Sequence, residues 1–247
     1  MASHRSALLT ATAAGAPATA PATAAADPLP RPTTAHDALA ELLDGNRRFA
    51  TDRSRHPGRS RRPAAAPHPA PHPAPHPFAV VVGCVDSRLP PELVFDQDLG
   101  DLLCTRTAGE VLDEAVLASI QYGVEELRVP LVLVLGHERC GAVAATLAHL
   151  ETGAPVPGHL ALLVDEIAPA ARRTRALPGD WAEHTMTAQT AWVRDAIRAD
   201  PAFASAHVVA ARLDLGTGLV SLLRAPGEPD GQQGGYPQCS GGDGSLA

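Results

Sequence analysis

The chain has 247 residues, 45% of them hydrophobic but only 3% aromatic, and a formal net charge of −7. That length holds one domain of ordinary size with tails, and its core must be built from Ala, Val and Leu. The acidic balance excludes a general nucleic-acid binder. All 20 basic residues are Arg, which excludes Schiff-base lysines and the lysine-bearing phosphate loop. No apolar run reaches the length of a membrane span. The four cysteines, Cys84, Cys104, Cys140 and Cys239, are too scattered for a disulfide framework and point to a reduced compartment or a metal site.

Residues 1–33 are rich in Ala, Pro and Thr and read as a disordered leader. The alternative is an export signal, because Arg5 precedes ALLTATAAGA and small residues lead to Asp27. From His36 to Ala50, HDALAELLDGNRRFA places Leu39, Leu42, Leu43 and Phe49 near one helical face. Residues 51–77 form a basic, Pro- and His-rich linker loop ending in an APHP repeat, which favours extended, unpaired backbone. Its His68, His72 and His76 read as parts of a solvated spacer rather than as metal ligands.

The ordered body, within a single domain over residues 34–225, then alternates. FAVVVGCV (78–85), DLLCTRT (101–107) and PLVLVLGH (130–137) read as strands. Residues 113–127, 140–150, 158–173 and 181–199 have helical character. HVVAARLDL (207–215), a GTG turn and LVSLLR (219–224) predict a closing β-hairpin, and residues 226–247 a flexible Gly-rich tail. Continuously apolar strands alternating with helices predict an α/β fold with a mostly parallel open sheet flanked by helices. In such sheets ligands bind beyond the carboxyl ends of the strands, where the winding reverses. If the first and third strands are neighbours, Cys84 and His137, at their ends, converge there with Cys140.

Two thiolates and one imidazole suit Zn²⁺. HERC sets His137 and Cys140 three apart, so both can face one point if a helix starts there. Three protein ligands leave one position open, as in a catalytic zinc site. The stretch GCVDSRLPP then puts Asp86 and Arg88 beside the first cysteine. A charged pair at the mouth of a sheet costs desolvation unless it has a task. Asp86 has two available positions: it can be a fourth zinc ligand that closes the site, or it can pair with Arg88 and leave zinc to a water. In the second arrangement its free oxygen can orient that water toward a substrate.

Cys84-x-Asp86-Ser87-Arg88 followed by His137-x-x-Cys140 resembles the signature of the β-class carbonic anhydrases, and RLPPELVFDQDLGDLL, TAGEVLDEAVLASIQYGVEEL and VPLVLVLGHERCGAV agree with it. The resemblance covers roughly residues 36–225. It implies a zinc lyase interconverting CO2 and bicarbonate, with Cys84, His137 and Cys140 on zinc and Asp86 and Arg88 as a catalytic dyad. It also implies a homodimer or dimer of dimers, with an N-terminal helix that embraces the partner. Two thiolates load more negative charge onto zinc than three imidazoles do, so the expected activity rises toward alkaline pH.

Two positions depart from the family. A glutamine that often precedes the first zinc cysteine by nine residues is Pro75 here, and an asparagine that often follows an Ala-Gly pair is Glu110. Proline has no N–H or side-chain donor to offer. Rival readings are a hydrolase of carbonyl sulfide or carbon disulfide on the same scaffold, and a catalytically weak zinc-stabilised binding protein. No nucleic-acid or membrane partner is expected, and the expected location is the cytoplasm unless residues 1–26 direct export. Cys104 reads as a core residue and Cys239 as a free thiol in the tail.

Overall fold

A computed structural model describes residues 31–55 and 76–224. The leader up to residue 30, most of the Pro/His-rich linker with Pro75, His68 and His72, and the tail with Cys239 lie outside the described residues.

Among the described residues five strands form one sheet: β1 (Ala79–Cys84), β2 (Leu102–Thr107), β3 (Leu131–His137), β4 (His207–Leu213) and β5 (Val220–Leu223). Their order is β2-β1-β3-β4-β5. β1 pairs in parallel with β2 and β3, and β3 in parallel with β4, while β5 turns back antiparallel on β4 as the closing hairpin. Every residue of β1 and β3 is buried, as their continuous apolar runs predict for strands covered on both faces. β2, at the sheet's end, is half-buried along its length.

The period of two in these strands divides the core. Ala79, Val81, Leu131, Leu133 and Leu135 face one side and pack with Leu39 and Leu42 of α1 (Ala35–Ala50) and with Phe95, which follows the one-turn helix α2 (Pro91–Val94). Val80, Val82, Val132 and Val134 face the other side. They pack against Val116 and Ile120 of α3 (Glu114–Gln121), Val124 just after it, and Val193 and Ile197 of α6 (Trp181–Ala199). Each such side chain, fully buried, contributes about 1.5–3 kcal/mol. A third cluster joins Cys84 and Cys140 to Val143 and Leu147 of α4 (Gly141–Thr152), Ile167 of α5 (Leu160–Thr174) and Met186 of α6.

Local signals account for the helix starts. The Thr34 hydroxyl accepts from Asp37 N–H at α1, the Asp113 carboxylate from Val116 N–H at α3, and Asp180 from Ala182 N–H at α6. The expected helix over 113–127 is regular only to Gln121, and its last turn widens to a π-turn over Tyr122–Glu126. α2 was not expected; Pro90 and Pro91 open it, with proline at a first helical position where no N–H is needed. In α1, Leu39 and Leu42 are buried on this chain's own sheet, with Leu43 and Phe49 half-buried. No helix among the described residues is long and apolar enough to cross a membrane.

Candidate metal centre

The sheet order makes β1 and β3 neighbours, so their carboxyl ends lie side by side. β1 ends in Cys84 and β3 in His137. The chain then turns through Arg139, held at φ 51°, and delivers Cys140 as the N-cap of α4. Gly136 lets α6 approach this strand end: a Cβ there would stand 2.1 Å from Thr190 Oγ1. The ligand atoms of Cys84, His137 and Cys140, all buried, lie within 4.8 Å of one another. The two sulfurs are 4.0 Å apart. Zn–S bonds of about 2.3 Å at a tetrahedral angle put two thiolates about 3.8 Å apart.

The His137 ring is fully buried, and its Nδ1 lies 2.8 Å from the Glu138 carbonyl oxygen. A carbonyl can only accept, so Nδ1 carries the proton and Nε2 the lone pair. Nε2 is buried without a hydrogen-bond partner. A buried imidazole nitrogen left open beside two thiols fits a metal ligand better than a core histidine, whose ring nitrogens are normally satisfied.

The electrostatics agree. The Cys140 thiol, then the His137 ring and the N–H groups of Gly109 and Asp86, hold Cys84 well below the ordinary thiol range against the opposing effect of burial. Cys140 is pushed up by its hydrogen bond to Cys84 and by burial. The pair thus surrenders one proton readily and keeps the other, an arrangement that a dication completes by displacing it. Burial works against a proton on His137, yet the Cys84 sulfur raises it overall. Gly109, at φ 69°, brings its N–H to Cys84 in a conformation that favours glycine.

Asp86 lies outside this donor group. Of the two positions open to it, the one seen here is the pair with Arg88. Its Oδ1 accepts from the Arg88 backbone N–H and from Nε, each at 2.9 Å, and its Oδ2 from Arg88 Nη2 at 2.6 Å. The two-residue loop closes so tightly on Arg88 that the fork turns both carboxylate oxygens toward it. Hydrogen bonds from Arg88 hold Asp86 far below the usual carboxylate range. Arg88 is half-exposed and lines a cavity of about 180 Å³ together with Leu89, Arg139 and Leu213.

Two further residues belong to the centre. Arg106 in β2 donates from Nε to the Cys84 carbonyl at 2.8 Å and from Nη2 to the Asp86 carbonyl at 2.5 Å, clamping the loop that carries both. An arginine inside LLCTRT was the only sequence sign of it. Glu110 is fully buried at φ 54°, with Oε1 unpartnered, and burial, then the charge of Cys84, raises its pKa. Cys104 takes no part: it packs half-buried on the first core cluster, and burial pushes its thiol up. His149 and His184 make hydrogen-bond contacts to the carbonyls of Ala154 and Pro178, away from the centre.

The carbonic anhydrase family model matches residues 79–218. Carbonic anhydrase 2 of Mycobacterium tuberculosis is 45% identical over 146 residues, covering 58% of this chain and 66% of that protein. The carbonic anhydrase of Mycolicibacterium smegmatis is 44% identical over 133 residues, covering 54% of this chain and 63% of that one. Each match thus spans slightly less than two thirds of the relative's length. Among solved structures, the β-carbonic anhydrase of Coccomyxa in complex with acetazolamide superposes with a TM-score of 0.54 at 24% identity, covering 60% of this chain and 72% of that one. One of the tetrameric β-carbonic anhydrases of Sordaria macrospora gives 0.55 at 20% identity, covering 61% and 82%. Those structural likenesses bear on the fold, and the family match spans more than half of the sequence. The chain belongs to the β-class carbonic anhydrase family.

Proposed function

We propose that this protein is a zinc-dependent enzyme that interconverts carbon dioxide and bicarbonate. The observation that carries the reading is the open, lone-pair-bearing Nε2 of His137 between two thiols at adjacent strand ends, next to a carboxylate held on both oxygens by arginine. Cys84, His137 and Cys140 would hold the metal, leaving a fourth position for water or substrate. Zinc bound there supplies Lewis acidity, which makes water a nucleophile near neutral pH.

The chain's own residues do the rest. Asp86 stays ionised and serves as an acceptor that orients the attacking water toward the carbon of CO2. Arg88 keeps that acceptor from swinging into the fourth position, where it would compete with substrate. The apolar walls of Val111, Val143 and Ile167 in the surrounding cluster limit water around the centre. The named relatives and the tetrameric Sordaria enzymes also lead us to propose a homo-oligomer, a dimer or dimer of dimers.

The test is stopped-flow CO2 hydration on zinc-quantified protein from about pH 6.5 to about pH 9.5. The expected result is zinc near one per chain and turnover that rises with pH, because two thiolates load more negative charge onto the metal than three imidazoles do. Full zinc without turnover at any pH would refute the assignment and direct attention to carbonyl sulfide and carbon disulfide.

A further inference from the structure

We infer that Arg212 is a positioning residue for the metal centre, acting through the Glu138 carboxylate on the peptide carbonyl that holds the His137 ring. The inference rests on His137 being a metal ligand. It concerns a residue on β4, paired in register with Gly136.

Glu138 follows His137 directly and is tied down on three sides. Its N–H donates to the Leu213 carbonyl at 3.2 Å, which extends the β3–β4 ladder by one residue. Its Oε2 accepts from the Leu215 N–H at 3.2 Å, and its Oε1 accepts from Arg212 Nη2. What remains is its carbonyl, which takes the His137 Nδ1–H at 2.8 Å. That carbonyl belongs to the following peptide, so holding the Glu138 side chain and N–H fixes the Glu138 Cα and limits how far that peptide can turn, and with it the tilt of the ring. In metal sites the partner of the non-ligating nitrogen sets both tautomer and tilt.

Among the described residues Arg212 is the one charge paired with Glu138, and it is shared. Glu183 Oε1 of α6 lies 2.7 Å from Arg212 Nε, as an ion pair at an angle outside hydrogen-bond geometry. Two carboxylates thus converge on one guanidinium. Part-exposed pairs of this kind add little to stability as a rule. Without Arg212, however, Glu138 would face Glu183 as a like charge, and its side chain would turn away, taking the peptide with it. Glu183 alone does not touch Glu138's carbonyl, so the two ion pairs of Arg212 have separable consequences.

The experiment uses the full chain loaded with Zn²⁺ and, in parallel, with Co²⁺. It measures transfer of zinc to a chromophoric chelator, the visible absorption of the cobalt form, and thermal stability of each variant. Arg212→Met is expected to speed zinc release about tenfold, the lower end of what loss of an outer-shell partner costs, and to shift the cobalt bands. Arg212→Lys, which keeps a cation for Glu138, should recover most of both. Glu183→Gln should release zinc like the unaltered protein. Wild-type release and spectrum in Arg212→Met, even with lowered thermal stability, would overturn the inference. So would Glu183→Gln releasing zinc as fast as Arg212→Met, because the effect would then run through the packing of α6. Should Arg212→Met not fold, Glu138→Gln carries the test, with faster release expected and an unchanged rate overturning it. Failure of the unaltered chain to take up either metal would overturn the metal reading itself, and is distinct from uptake that the variants leave unchanged.

Discussion

Two of the regions that bury polar side chains among the described residues treat them in opposite ways. Beneath α1, Asn46 is almost fully buried, yet every polar atom of its side chain has a partner. Its Nδ2 donates to the Val94 carbonyl at 3.1 Å and the Gly218 carbonyl at 2.8 Å, and its Oδ1 accepts from Val220 N–H at 2.8 Å. Nearby Asp96, also buried, accepts from Arg48 Nε at 2.6 Å and Arg55 N–H at 3.1 Å. At the carboxyl ends of the strands, by contrast, His137 Nε2 at the end of β3 and Glu110 Oε1 just after β2 are buried and left open. A saturated buried group ties elements together, and its cost of desolvation is repaid within the chain. An open one stands at a cost that the fold does not recover until something else arrives. That difference sets the contact under α1 apart from the metal centre, although open buried atoms also occur elsewhere, as at Asp98 Oδ1 and Arg194 Nη2.

The contrast breaks most visibly if the two regions are each disabled. Cys84→Ser should leave a folded chain that holds far less zinc and turns over no CO2 above background, measured by metal analysis and stopped-flow hydration. Asn46→Ala should do the reverse. It strands one buried and two part-buried backbone groups, on α2, on the hairpin turn and at the start of β5, and should cost about 2 kcal/mol in denaturant unfolding. Zinc content per folded chain should stay unchanged. If Asn46→Ala lost zinc while keeping its stability, the division into scaffold and site would not hold.

A smaller effect sharpens the picture within the site. Asp86→Asn keeps the shape of the side chain but removes the charge that Arg88 grips. The expected result is full zinc and a drop in turnover of about 10- to 100-fold, the range typical of lost outer-shell partners. The pair is half-exposed on the Arg88 side, so the melting temperature should hardly move. A large fall in zinc content would instead mean that Asp86 reaches the metal after all.

Much of this arrangement was legible in the chain itself. The runs AVVVGC and LVLVLGH read as strands buried on both faces because nothing polar interrupts them, and HERC sets a ligand spacing that requires the turn the structure has. The amphipathic period of α1 was equally plain. What the sequence left open were matters of direction and distance. The two-residue spacing from Cys84 to Asp86 permits either a ligand or a partner for Arg88, and the bond from the Arg88 N–H that favours the second is not visible in the spacing. Arg106 and Arg212 sit within strands where their charge resembles ordinary surface polarity. Their carbonyl and carboxylate partners lie at or just past the ends of neighbouring strands, 20 or more residues away. Periodicity reports which face a residue occupies, and it is silent on such pairings.

Glu110 offers the finest test, because its effect is one of pH rather than of presence or absence. Burial, and after it the charge of Cys84, raises its carboxyl well above the ordinary value. The unfolded chain gives up that proton near pH 4.3, while the folded chain keeps it. The folded state then binds more protons than the unfolded one, so stability must fall as pH rises through this window. One group contributes at most about 1.4 kcal/mol per pH unit. Glu110→Gln keeps the size and the backbone conformation but has no proton to lose. On metal-depleted protein, the stability of the variant relative to the unaltered chain should grow by about 1 kcal/mol between about pH 5 and about pH 6, read from urea midpoints. Parallel stability curves would mean that an unseen partner satisfies the carboxylate, and Glu110 would join Asn46 on the scaffold side of the comparison.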